Sequence, residues 1–424
     1  MLSVVDLIEA GTMSRDLAAY CLAAIGGGAS FLVGAMPGGA GEATGWGRTT
    51  PEKPDPFFAF TQRNYLMVGW LERVRTAAYG DIDGDGLPDV AMLTADENGA
   101  AVKIYLNKKG RFADKPDLVQ EVPEAVAKNP HIRLVRLGGG KVADLFVAGE
   151  AQAVLLVGQD GKLPYRAVDL GDVQRASHAI AGDFNNDGRM ELLLGHRFNA
   201  SFSLLTQTQD GRFRVARTKA KPLSYFDMQL IDVNGDGRDD LVTSGGEIYL
   251  RQADGSLPDE PSMRLSLPAE GWKFMAAADF NADKRPDVVI LWKKEEPQKK
   301  DKKTAVNVSV FYHSGDPRQP FKEKPDATFN LPDADVLRDG PTIADWNGDG
   351  VADLVLPSPE GAVILLGSPQ GLSAQRTARV KLDYAFHYDT RFGAADFNGD
   401  GKTDLAGWGP SPVGAAAVYI WLQP

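Results

Sequence analysis

Short apolar runs set the rhythm of this chain. Val90-Ala-Met-Leu, Leu192-Leu-Leu, Leu241-Val-Thr, Val288-Val-Ile-Leu and Leu354-Val-Leu each span only three or four residues. About ten residues later a second run ends in a turn. Val102-Lys-Ile-Tyr-Leu precedes Gly110-Arg-Phe112, and Phe202-Ser-Leu-Leu precedes Gly211-Arg-Phe213. Ile248-Tyr-Leu precedes Gly255-Ser-Leu257, and Val363-Ile-Leu-Leu precedes Gly371-Leu372. A third apolar segment leads into the next unit. Runs this short, punctuated by Gly and Pro, predict strands rather than helices.

An acidic loop stands in front of the first run of each unit. Its pattern is Asp-x-Asp/Asn-x-Asp-Gly-x-x-Asp, with variation at single positions. The six clear copies begin at Asp81, Asp183, Asp232, Asp279, Asp345 and Asp396. A decayed copy begins at Arg136, where Asp144 keeps the ninth position and the three front carboxylates are gone. With it included, successive loops are 55, 47, 49, 47, 66 and 51 residues apart. Units of this length with four short strands each, seven times over, predict an all-β seven-bladed propeller rather than a solenoid. The last unit stops at Ala417-Val-Tyr-Ile-Trp-Leu422, its third strand. Its outer strand is expected from Phe57-Phe-Ala-Phe-Thr or Tyr65-Leu-Met-Val-Gly, closing the ring and removing exposed sheet edges.

The loop pattern, its period and the trailing Gly-x-Phe turns resemble the FG-GAP/VCBS repeats of integrin-α-type propellers. The resemblance covers about residues 55–424. It implies the fold, and it leaves activity open, because that fold serves adhesion modules, lectins and some polysaccharide lyases.

The loop spacing has its own chemistry. Side chains at positions 1, 3 and 5 of a tight loop converge, Gly at 6 lets the backbone turn, and the acid at 9 closes the far side. A carbonyl at position 7 and water complete the shell of a hard cation, and Ca²⁺ suits it better than Mg²⁺. An EF-hand would need Glu at position 12 and flanking helices. Position 12 here is Met92, Leu194, Thr243, Ile290, Leu356 or Gly407.

Up to six structural Ca²⁺ sites are therefore expected. Their ligand sets are Asp81, Asp83, Asp85 and Asp89; Asp183, Asn185, Asp187 and Glu191; and Asp232, Asn234, Asp236 and Asp240. The others are Asp279, Asn281, Asp283 and Asp287; Asp345, Asn347, Asp349 and Asp353; and Asp396, Asn398, Asp400 and Asp404. Lys284 replaces the glycine of its loop, so there the turn is strained or the ammonium competes with the ion. The bland alternative is a polar turn in which Asp and Asn cap their own backbone.

The family resemblance places a ligand on the face opposite the metal loops. Residues five positions before each loop share one register: Thr76, His131, His178, Asp227, Phe274, Pro341 and Arg391. They are expected to ring the central funnel. Asp227, Trp272, Tyr225, His387 and Tyr388 form the candidate ligand-binding set, with Phe226 and Tyr384 nearby. A lyase acting on uronate polymers would need a base such as His131 or His178, and Arg391 to neutralise the carboxylate. The bland reading is a wet funnel mouth that tolerates any polar residue.

Composition narrows the classes. The 424 residues carry a net charge of −11, which argues against nucleic acid as a partner. Cys21 is the single cysteine, so neither an intramolecular disulfide nor a cysteine-built zinc site is available. This suits an extracellular, periplasmic or cell-surface protein stiffened by calcium, working as a monomer on a protein or glycan ligand. The mixed-charge stretch Lys293–Lys303 accounts for the 66-residue spacing and is read as a solvated loop.

Residues 1–54 form a separate N-terminal extension, helical or apolar in character. Leu17 to Ala35 runs nineteen residues without charge and could be a signal peptide or anchor. Its n-region is poor, with Arg15 the only basic residue against Asp6, Glu9 and Asp16. Alternatively, Phe31 to Thr44 looks like the strand and phosphate loop of a P-loop protein. Glu42 stands where the phosphate-binding lysine is needed, which opposes nucleotide and leaves a fused remnant as the second reading.

Overall fold

The computed structural model describes residues 62–67 and 73–423, apart from 98, 138–140, 160–161, 171–172, 174, 185–186, 197–200, 209–212, 221–226, 269–270, 294–304, 335–339, 359–360, 382–391 and 411–415. All of them fall in the unit Pro54–Pro424. The signal-like and P-loop-like readings of residues 1–54, and the Lys293–Lys303 insert beyond its first residue, lie outside the described residues.

The described strands form seven antiparallel four-stranded sheets. Six are consecutive in the chain, spanning 73–122, 131–169, 176–220, 228–264, 272–332 and 342–381. They are blades 1 to 6. Blade 7 takes three strands from 393–422 and its outer strand from Gln62–Met67. The pairing is antiparallel, with Gln62 opposite Leu422 and Met67 opposite Ala417. Tyr65–Met67 of the second candidate closing segment lie in this strand, which begins three residues earlier at Gln62; the first candidate lies outside the described residues. First strands of neighbouring blades touch one another, so they form the inner wall of a seven-bladed β-propeller.

The strand sequences explain the stacking. Second strands read as unbroken apolar runs because both of their faces are covered, as in any sheet packed between two others. Val90 and Met92 face blade 7, whereas Ala91 and Leu93 face blade 2. The hydrophobic core accordingly divides into seven clusters, one at each seam between neighbouring blades. Loop position 2 adds one apolar anchor per acidic loop. Ile82, Phe184, Val233, Phe280, Trp346 and Phe397 are all buried, each in the seam with the following blade.

Candidate functional site

Each acidic loop joins the inner strand of its blade to the second strand. The loops therefore gather at the end where inner strands finish. The register beginning with Thr76 and His131 lies towards the opposite end of those strands.

The acid at position 9 is the deepest part of each loop. Asp89, Asp240, Asp287, Asp353 and Asp404 are fully buried, and Glu191 is nearly so. One carboxylate oxygen accepts the N–H of loop position 2, from Ile82 at 2.8 Å, Phe184 at 2.8 Å and Val233 at 3.0 Å. Phe280, Trp346 and Phe397 donate in the same way at 3.1, 2.8 and 2.9 Å. The other oxygen accepts an N–H from just beyond the third strand. The donors are Asn107, Arg251, Gly367 and Gln423, each at 2.7 Å, and His313 at 2.9 Å. Burial outweighs these hydrogen bonds and raises the carboxyls, to about 6 for Asp89, Asp240, Asp353 and Asp404 and about 7 for Asp287.

Blade 2 separates two jobs that the other loops combine. Asp144 accepts from Leu137 at 3.0 Å and from Gly158 at 2.9 Å, the same clamp as the other ninth-position acids. No carboxylate stands in front of it. The ninth acid is thus a strand clamp that the fold uses even where positions 1, 3 and 5 carry no acid.

Those front acids aim at the loop interior. Asp81 accepts from Gly84 at 2.7 Å and Gly86 at 3.2 Å, and Asp85 accepts from Leu87 at 2.8 Å. Oxygens of Asp81, Asp83 and Asp89 lie within 4.8 Å of one another. Burial and the neighbouring Asp85 raise the carboxyl of Asp83. Where position 3 is Asn, its amide donates to the acid at position 5. Asn234 reaches Asp236 at 3.0 Å, Asn281 reaches Asp283 at 3.3 Å, Asn347 reaches Asp349 at 2.9 Å, and Asn398 reaches Asp400 at 3.0 Å. Asn185 lies outside the described residues. In three loops an arginine at position 7 sits on the position-5 acid. The pairs are Arg189–Asp187 at 3.0 Å, Arg238–Asp236 at 2.5 Å and Arg285–Asp283 at 3.5 Å. Val351 and Lys402 take that place in the last two loops, and each gives its backbone N–H to the position-5 acid at 2.9 Å. The donors are carboxylate and amide oxygens throughout, which fits a hard cation such as Ca²⁺.

Lys284 adopts φ 65° and donates its N–H to Asp279 at 2.7 Å, as glycine does in the sister loops. Ala282, two residues earlier, is also left-handed at φ 62°. This loop keeps its shape without either glycine.

At the opposite end, the sequence register is only partly drawn together. Nε2 of His178 in blade 3 lies 3.1 Å from Oδ1 of Asp227, which stands just before blade 4. His178 is buried and Asp227 half-buried. Asp227 is held by the N–H of Met228 on its carboxylate at 3.0 Å and by Ser244, whose hydroxyl accepts the Asp227 N–H at 3.2 Å. Gly340, at φ 77°, lets the chain pass: a Cβ there would lie 2.6 Å from Asp227 Oδ2 and 3.4 Å from Phe274. Thr76 and His131 are buried on their own inner strands. Phe274 does not line the funnel. It is fully buried in the seam of blades 5 and 6, because inner-strand residues alternate between flanking seams. Tyr225, Phe226, Tyr384, His387, Tyr388, Arg391 and the side chain of Trp272 lie outside the described residues.

Sequence reasoning missed the residues after each third strand, Asn107, Arg251 and His313. They share no residue type, and only their position relative to the buried ninth acid marks them.

Residues 232–290 match the family model of the FG-GAP-like repeat. The chain thus carries an FG-GAP-like repeat within a seven-bladed propeller. Among solved structures it is similar to a rhamnogalacturonan lyase of Bacillus licheniformis (12% identity, TM-score 0.48, 83% of this chain and 72% of that one). It is also similar to an Agrocybe aegerita lectin that recognises non-reducing terminal N-acetylglucosamine (15%, 0.46, 79% and 89%). A third is a periplasmic gluconolactonase of Pseudomonas aeruginosa (14%, 0.41, 82% and 99%). No curated protein matches in sequence. At these identities and TM-scores none of the three carries an argument about this chain.

Proposed function

We propose that this propeller is a calcium-stabilised, non-enzymatic binding module that works outside the cytoplasm and takes a protein or glycan ligand on the face opposite its acidic loops. The observation that carries the reading is the His178–Asp227 contact. It joins two blades at the end away from the loops, where an apolar pair would seal the seam without desolvating ionisable groups. An ionisable pair with one member buried and the other half-buried stabilises a seam poorly, which favours a role in recognition. Calcium is supported by the convergence of Asp81, Asp83 and Asp89 and by a donor set made of oxygen.

The same pair supports a second reading. An imidazole 3.1 Å from a carboxylate is placed where a general base would stand, as a uronate polysaccharide lyase requires. A glycan array and a co-purification experiment, each with wild type, His178→Ala and Asp227→Asn, test the binding module. Ligand capture lost in both variants at unchanged melting temperature supports it. Ultraviolet absorbance from unsaturated uronate, absent in His178→Ala, would replace it with the lyase.

A further inference from the structure

Each acidic loop is tied to the blade that follows it in the ring. In each of the six, the carbonyl of position 1 or 2 accepts a hydrogen bond from the next blade. Ile82 O takes the Ala143 N–H at 2.8 Å, and Asp183 O takes Arg251 Nη1 at 3.0 Å. Val233 O takes His313 Nε2 at 2.9 Å, and Phe280 O takes the Ser368 N–H at 3.2 Å. Asp345 O takes the Thr403 hydroxyl at 2.7 Å, and Phe397 O takes Asn107 Nδ2 at 2.7 Å.

Three of these donors have a second partner that makes the pattern a relay. Asn107, Arg251 and His313 each give their backbone N–H to the ninth-position acid of their own blade. Their side chains reach the loop of the preceding blade. His313 shows the logic: Nδ1 accepts from Gly315 at 2.9 Å, so Nε2 carries the hydrogen and donates to Val233. The Val233 N–H in turn binds Asp240. Asp240 takes the Arg251 N–H, and the Arg251 guanidinium spans to Asp183 O with its carbon 5.0 Å from the Phe184 ring centroid. An unbroken path thus runs from Asp287 in blade 5 through blade 4 to the loop of blade 3. Buried apolar anchors at position 2 fix each loop against the same neighbour, so a loop cannot shift without moving the seam.

We propose that the acidic loops bind calcium cooperatively around the ring, with His313 and Arg251 as the couplers between blades 5, 4 and 3. The proposal rests on the calcium reading above. Ordering one loop fixes the carbonyl its neighbour must bind, so the second loop is ordered at lower entropic cost. Neither coupler is a metal ligand in this scheme. Cutting one leaves every loop carboxylate and every N–H to a ninth-position acid in place.

The test is isothermal titration of the calcium-depleted full chain with CaCl₂, in wild type, His313→Ala and Arg251→Met. Arg251→Met keeps an aliphatic stem on Phe184 should His313→Ala fail to fold. Wild type is expected to bind with a Hill coefficient above one, and each variant to fall towards independent binding. The last sites to fill should weaken about fivefold or more, the range of ordinary allosteric coupling. An Asp236→Ala variant adds a second readout: coupling predicts weaker binding in the neighbouring loops besides the loss of one site. Calcium binding that is non-cooperative in wild type, or unchanged by both coupler variants, overturns the coupling and leaves the calcium reading intact. No calcium binding in wild type overturns both.

Discussion

The side-chain amide of Asn107 donates to the carbonyl of Phe397 at 2.7 Å, joining the first blade to the last across the seam where the ring closes. The amide also donates to Pro88 O at 3.1 Å, accepts from Gly110 at 2.7 Å, and is buried. Ring closure therefore draws on this side chain besides the strand at Gln62–Met67 and the apolar seam of blades 7 and 1. Truncating it leaves two buried carbonyls and one N–H without partners, each costing about 1–3 kcal/mol. Asn107→Ala is expected to lower unfolding free energy by about 2–4 kcal/mol in a denaturant titration. Val119→Ala, at an exposed outer-strand position, should stay within about 0.5 kcal/mol.

Chelation tests the ion reading directly. Three acidic side chains in a loop, or four in the loop of Asp81, repel when no cation screens them. Excess EGTA is expected to lower the melting temperature and CaCl₂ to restore it, by mass action. Asp83→Ala should remove more of this calcium response than Asp236→Ala does. Oxygens of Asp83 converge with those of Asp81 and Asp89, whereas Asp236 is already engaged by Arg238. A melting curve indifferent to EGTA would sink the proposal.

Acidity should act in opposite senses with and without the ion. In the calcium-free protein, burial raises Asp89, Asp240, Asp353 and Asp404 to about 6 and Asp287 to about 7, above the unfolded value near about 3.9. A raised folded pKa means the native state holds the proton more tightly. The stabilisation is complete below the unfolded value and is lost as pH rises through 6 to 7. In EGTA, melting temperature is expected to climb as pH falls from neutrality towards the unfolded carboxyl range. Asp287→Asn should flatten the upper part of that rise. In saturating calcium the rise should vanish or reverse, because protons then compete with the ion.

Lys284 offers a gain-of-stability test. A side chain in the left-handed region costs energy that glycine avoids, and only the greater freedom of unfolded glycine offsets it. Lys284→Gly is expected to stabilise by about 0.5–1 kcal/mol in thermal or denaturant unfolding. It should also tighten calcium binding in that loop, since a positive charge is removed from the loop itself.

The repeat was fully legible because it is local. A loop of nine residues must place its acids and its glycine in fixed order, and a strand covered on both faces must be apolar at every position. Loop spacing, blade number, the decayed copy at Arg136 and closure of the ring by an N-terminal strand could therefore be read from residue order, whereas the bounds of that strand, Gln62–Met67, could not. The division of labour within the loop could not. The ninth acid resembles the other three in sequence, and only its burial and its paired N–H partners show it to be a clamp, with Asp144 performing that task alone. Nor could the alternation that buries Phe274 in a seam be told from a funnel-lining position.

Residue order by itself determined the blade, its count and the chemistry gathered in each loop, since all of these are contacts between near neighbours in the chain. The tertiary structure decided what no local pattern encodes. It set His178 beside Asp227, Asn107 against Phe397 and His313 on Val233, 290 residues apart in sequence for the Asn107 pair and 80 for the His313 pair. These contacts arise only when the ring closes and fixes which blade each side chain meets.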